Sequence, residues 1–195
     1  MIKNSFTKGP EGWCAYDYHA SIVADRVNIF ILATWMKEGG VNNGGYIWVD
    51  HCRWSADTPE KPLSILPLLF YRSWINADPV DLRGCEVSVY LRGDGLRLDG
   101  AQCYFWVNGP GTRWHYTAQP LTITEGAWAR EPQRFVLHDE ERLWHRSWAA
   151  SPTTALSLTD MLRNAHSYGF SFVGFTSEVS GRLSMAEFTI SGPTV

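Results

Sequence analysis

The sequence predicts an all-β protein, an antiparallel β-sandwich of jelly-roll type with one short helix. Three observations carry that reading. Two runs near the middle, GCEVSVYLRG and AQCYFWVN, alternate apolar and polar residues, the two-residue period of strands with one buried face. Short runs rich in Val, Ile, Phe, Tyr and Thr recur between Gly- and Pro-bearing turns. Only residues 158–166 space Leu158, Met161, Leu162 and Ala165 as a helical stripe, with Thr159 placed to cap its start.

In chain order, residues 11–19 (EGWCAYDYH) follow Gly9-Pro10 and read as an edge-like strand, with a turn over 21–26. Residues 27–35 read as one continuous apolar strand, because Val, Ile, Phe and Thr favour strand over the competing buried helix. KEGGVNNGG (37–45) is a loop suited to left-handed backbone. YIWVD (46–50) is a strand with Ile47 and Val49 inward and Tyr46, Trp48 and Asp50 outward. Residues 51–67, with Pro59, Pro62 and Pro67, form a polar loop of the kind that carries binding residues. Further strands are expected over 68–74, 113–118, 120–124, 133–138, 167–176 and 182–190, and LWHRSWA (143–149) as an open loop presenting Trp144 and Trp148.

The central pair is read as two strands joined through DGLRLDG and lying in one sheet. Cys85, Val87, Val89, Leu91, Ala101, Cys103, Phe105 and Val107 then face the core. Glu86, Ser88, Tyr90, Arg92, Gln102, Tyr104, Trp106 and Asn108 share the other face. Aromatic plates stack on sugar C–H faces, while carboxylate, guanidinium and amide groups match sugar hydroxyls. The candidate ligand-binding residues are therefore Trp48, Asp50, Glu86, Tyr90, Arg92, Gln102, Tyr104 and Trp106, with Trp114 as a further candidate. The competing reading covers that face with the 51–67 loop or another subunit and makes its aromatics a second core.

With 195 residues, no internal repeat and no linker, one sandwich domain over 1–195 is expected, its ordered core about 10–191. A hydrophobic fraction of 45% and a charged fraction of 19% are globular values. A net charge of -3 without a basic block argues against a nucleic-acid partner. No apolar run is long enough for a membrane span, and MIKNSFTKGP lacks the apolar core of a signal peptide, so a cytoplasmic location is expected unless a signal was removed. The aromatic fraction of 14%, with 10 Trp, exceeds what such a core usually requires. Cys14, Cys52, Cys85 and Cys103 have no zinc spacing; four free thiols or a Cys85–Cys103 disulfide both fit the spacing. HExxH, GxSxG, P-loop and Rossmann patterns are absent from the sequence.

Gly12-Trp13, GGVNNGGYIWVD, LRGCEVSVYLRG, LDGAQCYFWV, TDMLRNAHSYGFSFVGF and the terminal LSMAEFTI follow an order that resembles the galactose-binding-like jelly rolls. That superfamily includes carbohydrate-binding modules and laminin IV-type domains. The resemblance implies a structural calcium near the first and last strands, with Glu11 and Glu187 as its ligands here, and otherwise no cofactor. The function expected is non-catalytic recognition of a saccharide or glycan by the aromatic and polar sheet face. Two alternatives stand beside it: a structural or protein-interaction sandwich, and a glycan-active enzyme using Asp50 and Glu86 as its carboxylate pair.

Overall fold

The computed structural model describes residues 1–16, 30–56 and 63–192. The turn over 21–26, the beginning of the 27–35 strand and part of the 51–67 loop lie outside the described residues. The described strands build two sheets packed face to face, with antiparallel pairing throughout except at one short edge strand, the jelly-roll sandwich the sequence predicts.

The first sheet holds β4 (Thr34–Met36), β5 (Tyr46–Asp50), β8 (Glu86–Arg97), β11 (Thr124–Glu125) and β15 (Ser180–Ser191), in the order β11-β8-β15-β5-β4. Beside them β1 (Ile2–Asn4) pairs with β15 and β12 (Gln133–Val136) pairs with β8. The second sheet holds β2 (Cys14–Tyr16), β3 (Phe30–Leu32), β7 (Ser64–Tyr71), β9 (Gln102–Gly109), β10 (Thr112–Leu121), β13 (Trp144–Ala149) and β14 (Ser167–Val173). Its order is β13-β10-β9-β14-β7-β2-β3, with β6 (Ser55–Ala56) on β7.

The sequence predicts the inward faces of β8 and β9 correctly but not their partners. Val87, Val89, Leu91, Cys103, Phe105 and Val107 are all buried in the core. Yet β8 pairs with β15, β11 and β12, and β9 with β10 and β14, so the two strands stand in opposite sheets. β8 runs on through Arg97, which places Arg92-Gly93-Asp94 within a strand. Asp99 and Gly100, at φ 48° and 87°, then turn the chain toward the other sheet. The apolar faces of β8 and β9 oppose one another, and their polar faces point to opposite sides of the molecule.

Trp13 is the centre of the core. It is fully buried and packs on Phe70, Tyr168, Phe170 and Phe188 from both sheets. A buried indole N–H needs an acceptor. Trp13 Nε1 donates to Asn4 Oδ1 at 3.2 Å, and Asn4 Nδ2 donates to Glu11 Oε2 at 3.0 Å. Glu11 thus orients the amide that serves the central tryptophan.

Other elements depart from the sequence reading locally. The apolar run ending at 35 is broken at Ala33, whose N–H donates to Trp13 O at 3.0 Å as the chain passes from β3 in the second sheet to β4 in the first. Residues 143–149 are not an open loop: β13 is a strand, and of its two tryptophans Trp144 is buried and donates to His138 O at 2.8 Å while Trp148 is exposed. The helix α1 (Leu158–Arg163) is capped by Ser157, not Thr159; Ser157 Oγ accepts from Asp160 N at 3.2 Å. Thr159 Oγ1 instead donates to Asp139 Oδ1 at 2.9 Å. No helix among the described residues is long and apolar enough to cross a membrane.

All four cysteines are free thiols; Cys14, Cys85 and Cys103 are buried and Cys52 is exposed. Burial pushes the thiols of Cys14, Cys85 and Cys103 up, which suppresses their reactive thiolates. A thiol reagent applied to the native protein is expected to label Cys52 alone, with the other three reacting after denaturation. Mass mapping of the labelled peptides checks this, and rapid native labelling of Cys85 or Cys103 would contradict the strand phase.

Candidate functional site

The residues expected on one face divide between the two outer faces of the sandwich. Trp48, Asp50, Glu86, Tyr90 and Arg92 belong to the first sheet; Gln102, Tyr104 and Trp106 belong to the second.

On the first sheet the side chains engage one another. The Arg92 guanidinium lies 5.1 Å from the Tyr46 ring and 4.6 Å from the Trp128 ring, and its Nε and NH2 reach Asp94 Oδ2 at 3.2 and 3.1 Å. Tyr90 is buried with Tyr46, Ala186 and Trp128. Arg182 stacks 3.7 Å over Trp48, with Arg53 at 5.8 Å. Asp50 Oδ1 accepts from Cys52 N, and Glu86 pairs with Arg134 at 3.3 Å. Arg92, Arg182 and Arg53 thus form cation–aromatic stacks on this outer face.

The enzyme alternative fails on distance. Asp50 pairs with Arg182 and Glu86 with Ser191, nine residues apart along β15. At about 3.3 Å per residue that is roughly 30 Å. Glycosidase carboxylates stand about 5–10 Å apart, so Asp50 and Glu86 are not such a pair.

The outer face of the second sheet is a grid set by strand register. One row reads Trp148 (β13), Arg113 (β10), Asn108 (β9), Ser167 (β14) and Tyr71 (β7). The next reads His145, His115, Trp106, Gly169 and Leu69 on the same strands. In the third, Tyr104 pairs with Ser171. The alternation that sends Tyr168, Phe170 and Phe172 into the core leaves Ser167, Gly169, Ser171 and Val173 outward along β14. A Cβ on Gly169 would lie 2.3 Å from Leu68 O and 2.8 Å from Trp106 Cζ2. The missing side chain is what lets the Trp106 indole lie down on β14, where its Nε1 donates to Phe170 O at 3.0 Å.

Trp106 is therefore not the open platform the sequence predicts. It is 2% exposed and packs with Cys14, Leu66 and Leu69, with the Arg113 guanidinium 5.9 Å from its ring. This small second core floors a cleft of about 350 Å³. Among the described residues, Phe30, Tyr71, Trp106 and Trp148 supply its aromatic surface, and Asn108 and Arg113 its planar hydrogen-bonding groups. Trp148 is 46% exposed. Trp114, by contrast, faces the core and is buried. Of the sequence-predicted residues, Trp106 alone lines this cleft; Tyr104 lines a smaller depression beside it, and the exposed Gln102 accepts a hydrogen bond from Tyr104 OH at 2.5 Å. Asn108 was legible from the alternation of β9, and Arg113 and His115 from their spacing in RWHY; Phe30 and Tyr71 carried no signal.

His115 is 2% exposed, and burial, followed by the nearness of Arg113 and His145, pushes it down to about 3. It is neutral near pH 7. Its Nε2 finds no hydrogen-bond partner among the described residues, and neither do Ser167 Oγ and Ser171 Oγ on the same outer face.

The resemblance implied Glu11 and Glu187 as calcium ligands. Glu11 holds Asn4, and Glu187 is exposed at the irregularity of β15 between Ala186 and Thr189. Among the described residues no three His, Cys, Asp or Glu side chains gather as ion ligands.

No protein-family model and no curated protein matches the chain. Among solved structures it is similar to the family 11 carbohydrate-binding module CtCBM11, at 11% identity and a TM-score of 0.50, over 99% of this chain and 96% of that one. A family 11 module from Clostridium thermocellum, solved with a β-1,3-1,4-mixed-linked tetrasaccharide, matches at 13% identity and TM-score 0.46 over 83% and 82%. A CBM28 module specific for non-crystalline cellulose matches at 10% and 0.40 over 94% and 90%. The likeness is one of fold, and the same fold serves unrelated functions.

Proposed function

We propose that this chain is a non-catalytic, carbohydrate-binding-module-like protein that recognises a saccharide in the cleft on the second sheet. The observation that supports it is the lining: four aromatic side chains with one amide and one guanidinium. Sugars present apolar C–H faces and dense hydroxyls, and concave aromatic sites with few polar groups match both. The site thus moves from the face expected across β8 and β9 to one centred on β9, β10 and β14.

Trp148 is the residue to remove. It is half exposed on an edge strand, so Trp148→Ala is expected to leave the melting temperature nearly unchanged. Binding should weaken by about 1–3 kcal/mol, the range for a truncated aromatic anchor. Affinity electrophoresis or calorimetry against a panel of soluble polysaccharides checks both. A folded Trp148→Ala protein that binds as well as the parent would move the site off this cleft.

A further inference from the structure

The outer face of the second sheet carries a smaller depression, of about 210 Å³, that the main cleft does not absorb. Tyr104, His115, Thr117, His145, Ser147 and Val173 line it. We propose that this depression is a separate pocket for a neutral side unit, so that the preferred ligand is a substituted polysaccharide rather than an unbranched one. The proposal rests on the saccharide reading of the main cleft.

Position is the first argument. The main cleft crosses the strands, from Phe30 on β3 to Trp148 on β13, and a third depression of about 370 Å³ toward the β9–β10 turn shares Tyr71, Asn108 and Gly111 with it. The smaller depression shares no described lining residue with either. It flanks the main cleft on the opposite side, toward the Tyr104 end of β9. Along a strand, alternate residues are about 6.6 Å apart, so Tyr104 lies two such steps from Asn108. Between the two hollows stands a saddle. Arg113 Nε donates to Ser147 Oγ at 3.1 Å, and the same guanidinium leans toward Trp106. A chain running along the main cleft passes the hollow by, whereas a substituent on that chain crosses the saddle and enters it.

Size and chemistry agree. Drug-sized ligands occupy roughly 300–1,000 Å³, and the smaller hollow falls below that, with room for about one ring. No Asp, Glu, Lys or Arg lines it among the described residues, which suits an uncharged unit. Tyr104, Thr117, Ser147 and the two histidines can exchange hydrogen bonds with hydroxyls. Around it lie buried polar atoms without partners, His115 Nε2 and, in the row of Tyr104, Ser171 Oγ. Such atoms are costly unless a ligand or its waters serve them.

The test compares polysaccharides that share a backbone: cellohexaose with xyloglucan oligosaccharides, and mannohexaose with galactomannan oligosaccharides. In at least one pair the substituted member is expected to bind tenfold or more tightly. Thr117 is exposed at the rim, and Thr117→Trp, which fills the hollow, should bring that affinity down to the level of the unsubstituted member. His145→Trp, on an exposed position of β13, serves as the second filling variant should Thr117→Trp not fold. Equal binding within every pair overturns the proposal, as does a preference that survives both substitutions. Absence of binding to any saccharide overturns it together with the parent reading. Loss on Trp148→Ala with equal binding within pairs overturns the side pocket alone.

Discussion

Trp106→Ala is expected to destabilise the protein by about 3–5 kcal/mol, the range for deleting a buried aromatic. At about 2–4 °C per kcal/mol for a chain of this size, the melting temperature should fall by on the order of 10 °C. Three losses add up. The indole leaves a void among Cys14, Leu66 and Leu69, the Phe170 carbonyl loses its donor, and the seat made by Gly169 stands empty. Saccharide binding should disappear with the cleft floor. Trp148→Ala is the contrast, losing binding with little change in stability. Thermal denaturation of the two variants side by side checks the pair. A Trp106→Ala protein melting with the parent would mean that the indole is an open platform after all.

The second large effect is acid sensitivity. His115 is held down to about 3 in the fold, against an ordinary value near 6.5. A group with a depressed folded value binds its proton more readily in the unfolded chain. Its contribution to stability is therefore present in full above pH 6.5 and is lost as the pH falls from there toward 3. Over that span the loss is expected to be on the order of a few kcal/mol. The upper part of the window, from 6.5 to about 4.5, lies above the range where most carboxylates titrate. Chemical denaturation at pH 7.5, 6.0 and 4.5 on the parent and on His115→Gln measures it. The variant should show a flatter dependence, and parallel curves would place the acid effect on other groups.

How much of this was legible follows from what alternation encodes. The period of two in EVSVYLR and QCYFWVN tells which side chains go inward, because the pleat allows no other arrangement. It says nothing about which strand lies alongside. β8 finds β15 some ninety residues later, so the short connection DGLRLDG, though it reads as a hairpin, carries the chain between sheets. Because β8 and β9 lie in opposite sheets, the residues expected on one face fall on two. The burial of Trp106 was hidden for a different reason: the gap it fills is a glycine on β14, 63 positions away, and is defined only by register. YIWVD is legible residue for residue, because its two faces differ clearly and its ends are marked by glycine and by the turn after Asp50. The shift of the helix cap from Thr159 to Ser157 is a choice between neighbouring hydroxyls, and the Ser-x-x-Asp spacing that favours Ser157 was there to be seen.

The place of β15 has a consequence for how the molecule is made. This strand pairs with β8 on one side and with β5 and β1 on the other, so it is the keystone of the first sheet. Among the described strands it is also the last in chain order, so it leaves a ribosome after every strand it pairs with. Until it emerges, β5 and β8 have no common neighbour, and the apolar faces of Ile47, Val49, Val87 and Val89 have no completed sheet to belong to. Pairings that span so much chain close slowly, and nascent chains with unpaired strand edges are exposed to misassociation. Synthesis of this protein therefore leaves a long interval in which half of the sandwich waits, unzipped, for its final twelve-residue strand.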